Sequence, residues 1–223
     1  MKQFLFFAAT CLLLASCSQP KTETAKLTLS KLDKKIIPSP VRYEGNLDTA
    51  VKYSDAGGDY IVVTSYYNTT KPGDDEEEGV DGIRLEAYCY KLNDSKWHLA
   101  WQTNDFVDNC DVDLAGEFIK TGFAITDLNH DGQGEVWLMY RLACRGDVSP
   151  STIKIIMHEG FKKYALRGES RVKVNATDYY GGDYKLDKAF QKGPEVFRKY
   201  ALQLWDKNHN EDFDENHPSG IIK

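Results

Sequence analysis

Alternation constrains this chain more than any other feature. In "IRLEAYCYKLNDSKWHLAWQT", residues 83–103, apolar and polar side chains change places along two runs separated by Asn93-Asp94-Ser95. A period of two sends successive side chains to opposite faces of a strand, and an Asn/Asp/Ser cluster between two such runs supplies a turn. The pattern recurs in three more places. "TAVKYSDAGGDYIVVTSYY" turns at Asp55-Ala56-Gly57-Gly58, and "STIKIIMHEGFKKYALRGE" turns at Glu159-Gly160. "GEFIKTGFAITDLNHDGQGEVWLMYRLAC" turns through residues 127–134. Four successive hairpins predict a mainly β, α+β fold arranged as an antiparallel meander. Strong internal repetition is absent, and the chain is too short for an ordinary propeller.

The chain contains one convincing helix, "GPEVFRKYALQLWDK", residues 193–207. Pro194 suits its first turn, and Glu195 sits at the positive end of the helix dipole. Phe197, Tyr200, Ala201, Leu204 and Trp205 recur at helical spacing, so this helix is expected to pack its apolar stripe on the sheet.

The ends are read differently. "MKQFLFFAATCLLLASC" has one Lys, an apolar run too short to span a bilayer, and small residues before Cys17. This is the pattern of a secretory signal peptide over residues 1–16. Leu14-Ala15-Ser16-Cys17 resembles the bacterial lipobox, which implies acylation of Cys17 and attachment to a lipid membrane in the cell envelope, the outer membrane being the expected one. Residues 17–40 are polar, Lys-rich and end in "PSP", the composition of a flexible tether. The expected globular domain is 41–206, with 207–223 as a polar tail. The acidic run Lys71–Gly79 is expected to be a solvated loop.

Formal net charge is -6, and removal of Lys2 with the leader makes it -7. That balance argues against nucleic acid as a partner. In an oxidising compartment thiols pair. With Cys17 acylated and Cys89 in an alternating strand as a buried apolar-face residue, Cys110 and Cys144 are left as the expected disulfide.

The hairpin tip "DLNHDGQGE" carries the clearest chemistry. Asp127, Asn129 and Asp131 stand at positions 1, 3 and 5 of a loop, Gly132 at 6, Gln133 at 7 and Glu135 at 9. Hard oxygens around a sharp turn are what calcium requires, with Gln133 offering its backbone carbonyl. Position 12 is Leu138 rather than Glu, and a strand follows rather than a helix. The spacing resembles instead the calcium-binding hairpin loops of FG-GAP and similar β-rich extracellular domains, over about ten residues. The other reading is a polar turn whose Asp and Asn side chains satisfy their own backbone. His130, at position 4, is expected to face solvent.

A longer stretch carries a second resemblance. Thr126-Asp127-Leu128, Asp131-Gly132, Glu135-Val136, Tyr140-Arg141, Cys144-Arg145, Asp147-Val148-Ser149-Pro150 and Tyr164-Ala165-Leu166-Arg167-Gly168, with "WQTNDFVDNCDVDLAGEFI" before them, resemble a family of bacterial envelope lipoproteins described as surface polysaccharide biosynthesis proteins. The resemblance spans roughly residues 95–170. It implies a role with surface polysaccharide or its assembly machinery, and it supplies no catalytic residue.

Arg145 and Asp147, in "CRGDVSP", are read as a charge pair or turn beside the disulfide, with ligand contact as the alternative. "DYYGGDY" places Tyr179, Tyr180 and Tyr184 around two glycines, a candidate aromatic platform for a sugar ring against the alternative of a packed turn. No imidazoles have zinc spacing, no Ser lies in a nucleophile elbow and no Gly-rich phosphate loop is present. Three function classes follow: a glycan-binding or accessory lipoprotein, a glycan-active hydrolase with a carboxylate pair assembled by the fold, and a purely structural envelope protein.

Overall fold

The computed structural model describes residues 26–71, 80–175 and 177–211. The signal peptide, Cys17, residues 72–79 of the acidic run and residues 212–223 lie outside the described residues. The chain is mainly β. Strands β1 (Thr28–Lys31), β2 (Asn46–Asp55), β3 (Gly58–Lys71), β4 (Val80–Asn93) and β5 (Lys96–Cys110) form one antiparallel sheet in sequence order. A second sheet contains β6 (Asp113–Phe118), β7 (Ala124–Thr126), β8 (Glu135–Arg145), β9 (Thr152–Glu159), β10 (Lys162–Glu169) and β13 (Tyr184–Leu186). Its order is β13-β10-β9-β8-β6, with β7 also on β8. A small sheet joins β11 (Arg171–Lys173) to β12 (Tyr179–Gly181) and, in parallel, to β14 (Asn210–Glu211).

All four expected hairpins form with antiparallel, sequence-neighbour pairing, and they are divided between two sheets. The reason lies in β8 and β9, which are buried on both faces. Val136, Leu138, Tyr140 and Leu142 of β8 meet Tyr53, Val62, Leu85 and Cys89 of the first sheet. The alternate residues Trp137 and Met139 meet Phe190, Phe197, Ala201, Leu204 and Trp205 of helices α1 (Lys188–Lys192) and α2 (Glu195–Asn208). Two apolar faces need two partners, so the second sheet lies between the first sheet and the helices. The outer face of the first sheet, with Ile61, Val63, Tyr88 and Tyr90, is covered by Leu32, Ile37, Val41 and Tyr43.

This last contact corrects the expected tether. Thr28–Lys31 pair with Val51–Ser54, and residues 32–43 contribute to the core, so the segment from Thr28 onward belongs to the body. The tail boundary moves as well. Residues 207 and 208 complete α2, and Glu211, expected in a polar tail, is buried in β14.

The disulfide Cys110–Cys144 is present, with 5.6 Å between Cα atoms. It lies between the end of β5 and β8, and so ties the two sheets together. Cys89 is a free, buried thiol, and burial pushes its pKa up to about 12.

Candidate functional site

The loop 127–134 is closed at its base by the pairing of Thr126 with Glu135. Its conformation follows from its residue types. His130 and Gly132 take positive φ of 59° and 85°, which tightens the turn where Gly is favoured. Asp127 Oδ2 accepts from Gly132 N at 3.2 Å, Asn129 Oδ1 from Asp131 N at 3.1 Å, and Asp131 Oδ1 from Gln133 N at 2.8 Å. These are the self-satisfying side-chain bonds of a polar turn. His130 is exposed, as expected.

Two carboxylates do more than cap a turn. Glu135 is completely buried, accepting from Thr126 Oγ1 at 2.6 Å and from Leu128 N at 3.0 Å. Burial raises its pKa. The Thr126, Leu128 and Asn129 hydrogen bonds act the other way, and the nearby Asp127 charge adds to the rise. Asp127 Oδ1 is buried and has no hydrogen-bond partner. Directly across the ladder from Glu135 stands Glu159, 6% exposed, which receives Asn129 Nδ2 at 2.9 Å. Among the described residues no three His, Cys, Asp or Glu side chains are gathered as metal ligands. The donor set is nonetheless of the hard-oxygen kind. Asp127 and Glu135 would hold a cation, which would relieve the desolvated charge between them.

The loop docks on the first sheet. Ala56 N donates to Gly132 O at 2.8 Å and Gly134 N donates to Asp55 Oδ2 at 2.8 Å. Gly134 is close-packed there, because a Cβ would stand 3.0 Å from Tyr53 Cε2. Beside this contact is a recess of about 60 Å³, with Tyr53, Tyr60 and Trp101 on its walls, Phe161 and Gly160 at one side, and Asp55, Lys91 and Gln133 supplying polar groups. Tyr53 and Tyr60 stack at 4.7 Å, and Trp101 stacks on His158 at 4.0 Å. A register shift between Cys89 and Tyr90 leaves Ala100 as an extra residue in β5. The bulge lets Ala100 and Trp101 both lie against the intersheet core, which strict alternation would forbid. His158 is buried, with Nε2 at 2.9 Å from Thr103 Oγ1, and burial with the Lys163 charge pushes its pKa down to about 4.

Other residues singled out from sequence lie elsewhere. Arg145 is buried and forms an ion pair, at 2.7 Å, with Glu211. Burial raises the Glu211 pKa, but Arg145 and the Ser170 and Ser151 hydroxyls more than offset this and hold it below the usual carboxylate value. Asp147 is exposed and accepts from Ser149 N at 2.9 Å, closing its own turn. Tyr179, Tyr180 and Tyr184 are all exposed, and they belong to two different sheets. The Arg171 guanidinium lies 4.0 Å from the Tyr179 ring centroid, and Tyr184 leans on Trp205 at 5.4 Å. Sequence reading missed Glu211, because a buried acid in a polar terminal run leaves no pattern. It also missed the recess, whose walls come from residues 53 to 161. The one available signal was Phe161, an aromatic at a hairpin turn where small polar residues are usual.

Fold and site together define a layered antiparallel β protein with helices over one outer face and a docked acidic loop beside an aromatic recess. No family model, characterised protein or solved structure matches the chain.

Proposed function

We propose that this chain is an acylated envelope lipoprotein whose folded body binds glycan as an accessory to surface polysaccharide biosynthesis or export, with a structural calcium ion at the hairpin tip. The leader and Cys17 support the anchor, and the resemblance over residues 95–170 supports the polysaccharide role. The observation that carries the calcium reading is the pair formed by fully buried Glu135 and the unpartnered Asp127 Oδ1. Desolvated carboxylate charge is costly, and a divalent cation offsets it. Position 12 of the loop offers no ligand, so affinity is expected on the order of 10⁻⁴–10⁻³ M, the range of extracellular modules.

Binding is preferred over hydrolysis for a physical reason. The fold does set two acids opposite one another, Glu135 and Glu159, but both are buried, which withholds them from a glycosidic oxygen. Deletion of the gene followed by surface polysaccharide analysis tests the proposal. Loss or shortening of the polysaccharide, restored by the wild-type chain and not by Cys17→Ala, is the expected result. Unchanged polysaccharide would leave a purely structural envelope role, and sugar release by the purified protein would favour the hydrolase.

A further inference from the structure

We propose that the recess beside the loop seats one neutral sugar ring, lying flat on Phe161 with an exocyclic hydroxymethyl group directed toward Trp101. This rests on the glycan-binding reading and moves the contact surface away from Tyr179, Tyr180 and Tyr184.

Phe161 is 87% exposed, the most exposed of the large apolar side chains among the described residues, and it stands at the mouth of a recess whose walls are aromatic. An aromatic face left open to water presents a flat apolar surface, which suits the C–H face of a pyranose. The polar groups are mixed in kind. Asp55 accepts one backbone N–H on each oxygen, from Gly57 at 2.6 Å and Gly134 at 2.8 Å, and a carboxylate keeps further lone pairs for hydroxyl donors. Lys91, 5.4 Å from the Tyr60 centroid, offers donors to ring or hydroxyl oxygens. One acceptor group and one donor group of opposite charge fit a neutral polyol better than an anion or a cation.

Size narrows the ligand further. A volume of about 60 Å³ is room for roughly two waters at liquid density, well below the roughly 300–1,000 Å³ of an enclosing small-molecule pocket. A whole apolar ligand has no place there. A hydroxymethyl group fits, with the ring above it on Phe161. The recess is also pre-shaped: the bulge at Ala100 and the stacking of His158 behind Trp101 fix the inner wall, while the docked loop fixes Asp55. The competing tyrosines are less suitable, because Arg171 already covers a face of Tyr179 and Tyr184 packs on Trp205.

The test is a ¹⁵N chemical-shift titration of the full chain, held in a detergent without sugar headgroups. The probes are methyl hexosides, methyl xyloside and oligosaccharides released from the producing bacterium's surface polysaccharide. Expected are shifts at the Trp101 indole and the Gly160 and Phe161 amides, with xyloside, which lacks the hydroxymethyl, weaker than the hexosides. Phe161→Ala, which should melt as the wild type does because the ring is exposed, should weaken binding about tenfold, the scale of one lost aromatic contact. Tyr180→Ala should change nothing. Shifts that map to residues 179–184, or binding that survives Phe161→Ala, overturn this assignment and leave the glycan-binding reading standing. The absence of shifts with every probe overturns both.

Discussion

Replacing both Cys110 and Cys144 with Ala should lower stability by an amount set by the loop they close. The bridged residues are 34 apart in sequence. In the chain-entropy account a loop of that size removes roughly 12–13 cal/mol/K from the unfolded ensemble, or about 4 kcal/mol at 25 °C. At the usual sensitivity for a chain of this length, that is a fall in melting temperature of about 8–15 °C. The position of the bond strengthens the expectation. β5 and β8 belong to different sheets, so no ladder of hydrogen bonds holds them together, and the disulfide backs up an interface made of side-chain packing and a few isolated hydrogen bonds such as that from Tyr140 Oη to Asp105. Urea melts followed by circular dichroism, wild type against Cys110→Ala/Cys144→Ala, measure the difference directly. Cys144 is exposed, so a mild reductant acting on the wild type should reproduce the effect. Equal midpoints, with equal slopes, would refute the idea that the bond constrains the unfolded chain. Cys89 serves as an internal control: fully buried, with its thiol pKa raised, it should resist a maleimide until the protein unfolds.

Millimolar calcium should raise the melting temperature relative to chelator, and Asp127→Ala/Asp131→Ala should abolish the rise; identical wild-type melts in both conditions would make the loop a polar turn only. Because Glu135 holds its proton more tightly than a free carboxylate does, the calcium effect should be larger at pH 7 than at pH 5. His158 binds its proton less tightly folded than unfolded, so the unfolded chain takes up more protons between pH 6.5 and about 4 and stability falls as pH falls through that window. The loss is about 3 kcal/mol by linkage, and it should be absent in His158→Phe. Glu211→Ala leaves the Arg145 guanidinium buried without its carboxylate and should cost about 3–5 kcal/mol by thermal melting, whereas Arg145→Met/Glu211→Leu should recover most of it.

Much of the fold was legible because its causes are local. Alternating apolar residues define strands, Gly57-Gly58, Asp94-Ser95 and Gly160 define turns, and the 197–205 stripe defines the packing helix. The disulfide was legible through the compartment implied by the leader and the exclusion of Cys89. The order and extent of the sheets were not legible. Short β1, β11, β12 and β14 have weak patterns of their own and are strands because neighbouring edges accept them.

Residues adjacent along the chain were enough to specify the four hairpins, the longer helix, the loop with its oxygen donors and the acid excess. Which faces meet was settled by long-range packing. It placed Glu211 under Arg145, set Glu159 against Glu135, docked Gly134 on Asp55 and brought residues 53 to 161 around one recess. A doubly apolar strand such as β8 specifies that both its sides be covered but not by what. The cover is selected by packing between segments distant in sequence, and each polar group enclosed on the way acquires its partner, its charge state and its accessibility from that choice.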